Sequence, residues 1–176
     1  MAFDSSRYGS AVQAILAAGG DGLRPMPLAS GRPAKTALDK LASASPNLFA
    51  ASSHPEAALS GLHLYFCSYD EAHKICQDLP SAEGSFWHGI LHRQEPDPGN
   101  AAYWFRRVGR HPLFPALREA ASELSYPSSR DWDPFAFIEF CETARRQPGS
   151  RDQELAMSVQ LAEWQLLFDY CARPRA

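Results

Sequence analysis

Hydrophobic residues recur along most of this chain at intervals of three and four positions, the spacing that lines one face of an α-helix. Short segments rich in proline and glycine interrupt the pattern and separate successive helices. The chain has no run of alternating β-branched residues that would predict strands. The pattern therefore predicts an all-α fold, a single compact bundle of about seven helices in one domain spanning residues 1–176.

Two neighbouring helices are predicted in the middle of the chain. Ser53 as an N-cap, followed by Pro55, predicts a helix that runs to about Leu79 and ends before Pro80. Its hydrophobic stripe also contains His73, and the stripe residues are Leu59, Leu62, Phe66, Tyr69 and Cys76. Ser81 predicts the cap of the next helix, from about Ala82 to Glu95.

The last helix is predicted to be the longest and to lie in the middle of the bundle. Ser150 with Gln153 is typical of a capping box, and apolar residues then surround most of the helix to about Ala172. Glu163 lies among these apolar positions, and a buried carboxylate needs a partner. A helix-docking ion pair and a catalytic carboxylate are both open for it. The possible partners are His73, His88, His92 and an arginine of the segment Phe86–Pro112.

The helix over Ala82–Glu95 carries a candidate metal site. His88, His92 and Glu95 follow one another at i, i+4 and i+7, which brings two imidazoles and a carboxylate to one face. A histidine pair at this spacing can bind a divalent transition metal through neutral ring nitrogens, with the carboxylate as a third ligand. A polar face turned to solvent explains the same pattern.

Further candidates for chemistry lie on other helices. His73, Asp70 and Glu163 are the candidate catalytic, acid–base groups. A cationic cluster follows at the end of the helix that Asp97 caps and Gly109 ends. Its side chains either offset the negative end of the helix dipole or bind the carboxylate or phosphate of a small anionic ligand. The candidate ligand-binding residues are Asn100, Tyr103, Arg106, Arg107, Arg110 and His111.

Two resemblances follow from these segments. Gly89, Ala101 and Phe105 stand at the spacings of the small and aromatic packing positions of a tetratricopeptide repeat, so the helix pair around PDPGNAAYWFRR resembles one such unit. More broadly, the segments GLHLYFCSYDEAHKICQDL, EGSFWHGILHRQEPDPGNAAYWFRRVGRHP and AEWQLLFDYC resemble an uncharacterised family of bacterial and fungal proteins. That family has no established activity, so the resemblance implies one compact all-α domain and supplies no reaction.

Composition and charge restrict the classes of partner. A net charge of −3 gives no overall field that attracts nucleic acid or an anionic membrane. Nucleic-acid binding by Arg93, Arg106, Arg107 and Arg110 beside aromatic rings is therefore the weakest hypothesis. No window reaches the roughly 20 apolar residues needed to span a bilayer, and no basic segment precedes an apolar run at the N-terminus. Four cysteines without a C-x-x-C spacing predict reduced, buried thiols and a cytoplasmic protein.

Two functions remain open from the sequence. The first is a helical protein with a His/Glu/Arg site that binds a divalent transition metal or a small anionic ligand, for which hydrolysis and metal-assisted oxidation are both compatible. It requires His73 to lie beside His88 and His92. The alternative is a protein–protein interaction module that presents the tetratricopeptide-like helix pair to an acidic partner. No sequence motif fixes a reaction, a substrate or an oligomeric state.

Overall fold

The computed structural model of the protein describes residues 3–33, 35–42, 44–127 and 129–174. Within these ranges the fold is an all-helical bundle, as the hydrophobic pattern predicts. The described residues form nine α-helices, which are α1 (Ser10–Ala17), α2 (Lys35–Leu41), α3 (Pro55–Tyr65), α4 (Tyr69–Gln77), α5 (Ala82–Gln94), α6 (Pro98–Val108), α7 (Phe114–Glu123), α8 (Pro134–Arg145) and α9 (Arg151–Ala172). None of the described helices combines the length and the apolar character needed to cross a membrane.

The predicted N-caps of the later helices are confirmed. The side chain of Ser81 accepts a hydrogen bond from the backbone N–H of Gly84 at 3.1 Å, and Asp97 accepts one from Asn100 at 3.1 Å. Ser150 caps α9 in the same way. Each of these side chains satisfies a backbone donor that the first helical turn leaves without an intrahelical partner, so the polar residue fixes where the helix begins.

The prediction of one helix from Ser53 to Leu79 is wrong, because the chain forms α3 and α4 there. The predicted cap is wrong as well, because the N-cap of α3 is His54 and its side chain makes no capping hydrogen bond. The break lies at Cys67, which adopts a left-handed conformation with φ of 60°. The N–H of Ser68 then donates to the carbonyl of His63 at 3.0 Å, the bond of a Schellman helix end. Glycine usually takes this position, so the sequence gives no ordinary stop signal. The split contributes to the nine helices observed instead of about seven.

The interior is built where α3, α5 and α9 meet. Trp87 of α5 and Trp164 of α9 are fully buried, and the indole N–H of Trp164 donates to the carbonyl of Gly61 in α3 at 2.7 Å. Any side chain on Gly61 would meet the Trp87 ring, because a Cβ there would lie 2.4 Å from Cζ2. The long helix α9 packs against α3, α7 and α8, while α6 packs mainly against α5 and α8.

A buried polar network joins α5, α8 and α9. The guanidinium of Arg93 forms an ion pair with Glu163, and both side chains are fully buried. Arg93 also donates through Nε to Gln160 Oε1 at 3.0 Å. Arg145 of α8 donates to the backbone carbonyls of Arg93 and Leu28, each at 2.6 Å. The network therefore fixes three helices and the loop before α2 relative to one another.

Candidate metal centre

Three histidines from two helices meet beside the bundle core. His88 and His92 lie one turn apart on α5, and His73 comes from α4. The Nε2 atoms of His73 and His88 are 3.0 Å apart, and one ring nitrogen from each histidine lies within 4.8 Å of the other two. In the part of the chain that the structure describes, this is the one group of three or more His, Cys, Asp or Glu side chains close enough to hold a metal ion.

Local structure explains why α4 and α5 approach closely at this point. Gly84 lies in the first turn of α5 and packs against the end of α4. A Cβ on Gly84 would lie 2.4 Å from Cβ of Leu79 and 2.8 Å from its carbonyl oxygen. The N-cap at Ser81 sets the start of α5 three residues earlier. Glycine at this contact therefore lets α4 and α5 pack together, and His73 of α4 faces His88 of α5.

Two of the three imidazole rings are stacked, and the third is perpendicular to them. The rings of His88 and His92 are nearly parallel, with centroids 4.8 Å apart and an interplanar angle of 13°. The ring of His73 stands perpendicular to both, at 82° and 89°. Trp104 of α6 stacks on His88 with its centroid 3.8 Å away. The indole therefore forms an apolar wall beside the histidines.

Glu95 is not one of the three clustered ligands, although its spacing predicts it as a metal ligand. Its carboxylate lies 3.1 Å from Nδ1 of His92, and its atoms do not join the ring nitrogens within 4.8 Å of one another. A carboxylate against the outer nitrogen of a metal-binding histidine fixes the ring orientation and raises its basicity. Glu95 therefore lies beside the cluster, against the nitrogen of His92, and outside the group of possible ligands.

Burial keeps the central histidine neutral. Only 2% of His88 is exposed, which excludes the solvent-facing interpretation of this residue. Burial, followed by the repulsion of charge on His92 and His73, lowers the pKa of His88 to about 3. Burial also lowers the pKa of His92, against the opposing attraction of Glu95. At neutral pH these imidazoles are in the neutral form that binds metals.

The ring nitrogens nearly match the spacing of a tetrahedral zinc site. Ligands at 2.0–2.1 Å from zinc in tetrahedral geometry lie roughly 3.3 Å from one another. The 3.0 Å separation of His73 and His88 is close to this value, while the ring nitrogen of His92 lies within 4.8 Å of both. His73 and His92 are only partly buried, so the histidine cluster reaches the surface of the protein.

The other candidate catalytic residues lie away from this cluster of ligand atoms. Glu163 is completely buried in its ion pair with Arg93, which is the arginine partner that the sequence allows. This explains the buried carboxylate as a contact between helices. Asp70 is exposed in the first turn of α4. Among the described residues, neither carboxylate belongs to the group that could hold a metal ion.

The predicted ligand-binding residues do not form one site. The guanidinium of Arg107 lies 5.2 Å from the Trp104 ring, on the side of α6 near the histidines. Arg106 lies instead over Phe135 of α8, at 5.8 Å. Arg110 is exposed at the end of α6. The cationic cluster is therefore divided between two surfaces.

Three further candidates have different surroundings. His111 is buried, with Nε2 3.6 Å from a carboxylate oxygen of Glu83. Asn100 donates through its side chain to Asp97 at 2.6 Å, which reinforces the cap of α6. Tyr103 is 48% exposed on the outer face of α6. Neither of these two contacts involves the clustered histidines.

Comparison with known proteins gave no match: no family model, no curated protein and no solved structure is similar to this chain. The chemistry of the centre must therefore follow from its geometry. Sequence reasoning missed the contact of Trp104 with His88. The available signal was weak, because Trp104 has the same helical spacing as the core residues Ala101, Phe105 and Val108.

Proposed function

We propose that the protein binds one divalent transition metal ion through His73, His88 and His92. The observation that carries this proposal is the convergence of three ring nitrogens from α4 and α5 within 4.8 Å of one another. The lowered pKa of His88 and the carboxylate of Glu95 against His92 support it, because both favour neutral, oriented imidazole ligands.

Zinc is the ion that the ligand set favours first. Three imidazoles suit zinc, and a site with three protein ligands leaves a fourth position for water or substrate. Zinc lowers the pKa of such a bound water to about 7, which would give a hydrolytic centre at neutral pH. Nickel and copper also accept imidazole ligands and are the main competing ions.

A purely structural role is the competing explanation. One neutral imidazole donates and the other accepts, so a hydrogen bond between His73 and His88 at 3.0 Å needs no metal. That explanation gives no function to the third ring. We therefore favour the metal site.

Metal content and zinc titration test the proposal. We expect the untagged wild-type protein to contain or take up one zinc ion per chain, and the His88→Gln/His92→Gln variant to take up none. The matched control is His54→Gln, which makes the same exchange at a histidine beside Glu83 and outside the cluster. Absence of saturable zinc binding by the wild-type protein would overturn the proposal, as would equal binding by the double variant.

A second candidate function is an interaction surface on α6. Tyr103 is 48% exposed, and Arg106 and Arg107 are exposed on the same helix. Gly89 of α5 packs against Phe105, since a Cβ there would lie 2.8 Å from two ring atoms, which is consistent with a tetratricopeptide-like helix pair. Such a surface fits an acidic protein segment. An acidic partner retained by the wild-type protein and lost in Tyr103→Ala/Arg107→Ala would support this function.

The four free, buried cysteines fit a reducing compartment, and we propose a cytoplasmic location on that basis. Fractionation of the native host cell tests it. Recovery of the protein from an oxidising compartment would contradict the proposal.

A further inference from the structure

An open groove lies on the far side of α6 from the histidines. The end of α6, the first half of α7 and the segment that leads into α8 form its walls, and its volume is about 990 Å³. None of the clustered histidines His73, His88 and His92 lines it. Its size is in the range of sites that bind small molecules.

Four arginines line this groove, from three separate parts of the chain. They are Arg106, Arg110, Arg118 and Arg130. None of the four forms an ion pair within 4.0 Å among the described residues, whereas Arg93, Arg145 and Arg173 are all paired with carboxylates. The groove therefore holds guanidinium groups whose charge no neighbouring carboxylate neutralises by direct contact.

The local charge is opposite to that of the whole chain. The four groove arginines outnumber the three lining carboxylates, while the chain carries a net charge of −3. Asp133, one of these carboxylates, accepts hydrogen bonds from the N–H groups of Phe135 and Ala136 as the cap of α8. An anion that enters the groove therefore meets a local excess of positive charge.

Aromatic residues supply the rest of the walls. Phe114 and Phe135 line the groove together with Trp132. Trp132 is 5% exposed, and its indole N–H has no hydrogen-bond partner among the described residues. A buried indole N–H normally finds an acceptor, as Trp164 does with the carbonyl of Gly61.

We infer that this groove is a second binding site, independent of the metal centre, and that it takes a small organic phosphate. Arginine forks pair in a bidentate manner with phosphate oxygens, and several arginines together favour a doubly charged group over a single carboxylate. The phenylalanine and tryptophan walls suit an aromatic or otherwise apolar body. Long nucleic acids fit less well, because the protein as a whole is acidic, with a net charge of −3.

Calorimetric titration with adenosine 5′-monophosphate and phenyl phosphate tests the inference, with adenosine and inorganic phosphate as the two partial ligands. The protein is the His88→Gln/His92→Gln variant, so that phosphate cannot bind through a metal. We expect saturable binding of the organic phosphates, each tighter than inorganic phosphate, and adenosine weaker than adenosine 5′-monophosphate.

Replacement of groove arginines distinguishes binding in the groove from a general attraction of phosphate to any positive charge on the protein. Arg110→Gln/Arg118→Gln should weaken binding roughly tenfold or more, since each change removes charge-assisted hydrogen bonds. Arg146→Gln should leave it unchanged, because Arg146 is exposed and lies outside the groove. Arg130→Gln gives a second test if the double variant does not fold.

Three results would overturn the inference. The first is no binding of either organic phosphate. The second is equal binding of the organic phosphates by the protein that keeps all four groove arginines and by the Arg110→Gln/Arg118→Gln variant. The third is inorganic phosphate or adenosine binding as tightly as adenosine 5′-monophosphate, because one half of the proposed recognition would then be absent. Failure of zinc binding at the histidines leaves all three measurements unaffected, so the two proposals fail separately.

Discussion

Arg93 and Glu163 illustrate how single residues hold this bundle together. Both side chains are fully buried, and among the residues that the structure describes each is the ion-pair partner of the other. Arg93 also lies over the ring of Phe137, with Cζ 4.6 Å from its centroid. The pair is not automatically more stable than two apolar residues would be, but each half strongly requires its partner.

We predict that Arg93→Met lowers the free energy of unfolding by about 3–5 kcal/mol, because it leaves Glu163 buried and unpaired. The double variant Arg93→Met/Glu163→Leu should be much less destabilised than the sum of the two single variants. Urea unfolding of the four proteins measures this coupling. Arg146→Met provides an exposed control. A loss below about 1 kcal/mol in Arg93→Met, the size of an exposed ion pair, would contradict this role.

His88 makes the stability of the metal-free protein depend on pH. Its pKa in the folded chain is about 3, below the ordinary histidine value of about 6.5. Above about pH 6.5 both states are neutral. Between that pH and about 3, His88 binds a proton in the unfolded chain but stays neutral in the folded chain. The free energy of unfolding therefore falls as pH falls, by at most about 1.4 kcal/mol per pH unit.

We therefore predict that the stability difference between the wild-type protein and His88→Gln shrinks as pH falls from 6.5 to 5. Urea unfolding in the presence of a chelator, at half-unit steps from pH 8 to pH 5, measures it. His54→Gln is the control for loss of a histidine outside the cluster. A difference that stays constant across this range would show that burial does not hold His88 neutral.

At the scale of single residues, the contacts of the histidines and of Glu163 were only partly predictable from the sequence. The i, i+4 spacing of His88 and His92 fixes that both rings lie on one side of any helix, whatever the fold. The partner of Glu163 was open, because an arginine and three histidines all lie on neighbouring helices. The rotation of α5 and α9 about their axes brings Arg93 opposite Glu163. That rotation depends on packing between helices, which no local sequence pattern encodes.

At the scale of the elements, close contacts between helices depend on Gly61 and Gly89 as well as on Gly84. A Cβ on Gly61 would lie 2.4 Å from the buried Trp87 ring, and one on Gly89 would lie 2.8 Å from Phe105. Gly99, in the first turn of α6, has no such constraint, because the nearest atom to its Cβ would be Asp97 Oδ1 at 3.6 Å. Glycine thus has a packing role in α3 and α5 and none in α6.

We predict that Gly61→Ala destabilises the protein by about 1–3 kcal/mol, because α3 and α5 would have to move apart around the Trp87 ring. Gly99→Ala should be neutral or stabilising by up to about 1 kcal/mol, since alanine is the better helix former. Thermal unfolding of the two variants compares the same substitution in crowded and open surroundings. Equal effects would mean that backbone propensity, and not the contact with Trp87, explains the glycine in α3.

Helix starts were more predictable than helix ends. Ser81, Asp97 and Ser150 cap their helices through their own side chains, a local interaction that the sequence displays directly. The break between α3 and α4 has no such signal. Cys67 adopts a left-handed conformation although a β-carbon makes it unfavourable, and packing of α3 on its neighbours has to stabilise it. Tertiary contacts therefore decide this boundary, and with it the direction of α4 and His73.

At the scale of the whole molecule, a bound metal would connect α4 to α5 and add to the stability of the folded state. We predict that zinc at about 100 times its dissociation constant stabilises the protein by about 2.7 kcal/mol. For a chain of this length that corresponds to a rise in melting temperature of roughly 5–10 °C. A chelator should reverse the rise, and His88→Gln/His92→Gln should show none. A similar rise in that variant would mean that zinc binds elsewhere or to the unfolded chain.

The all-α class and the long C-terminal helix followed from the sequence, since the helical period extends over most of the chain. The positions of the side chains in the cationic cluster did not follow from the sequence. Arg106, Arg107 and Arg110 are neighbours in sequence, yet Arg107 lies over Trp104 while Arg106 and Arg110 line the groove with Arg118 and Arg130. The approach of α7 and α8 to α6 creates that groove, and it brings together residues more than 20 positions apart.

The stack of Trp104 on His88 also gives the protein a built-in optical reporter. Its centroid lies 3.8 Å from the imidazole. Among the described ring contacts, none joins Trp87, Trp132 or Trp164 to the clustered histidines. An open-shell ion such as Cu²⁺ in the centre would quench the emission of this indole through its close contact with a ligand ring. Occupancy of the centre would then be readable as fluorescence, and Trp104→Phe would silence the signal while leaving the ligands in place.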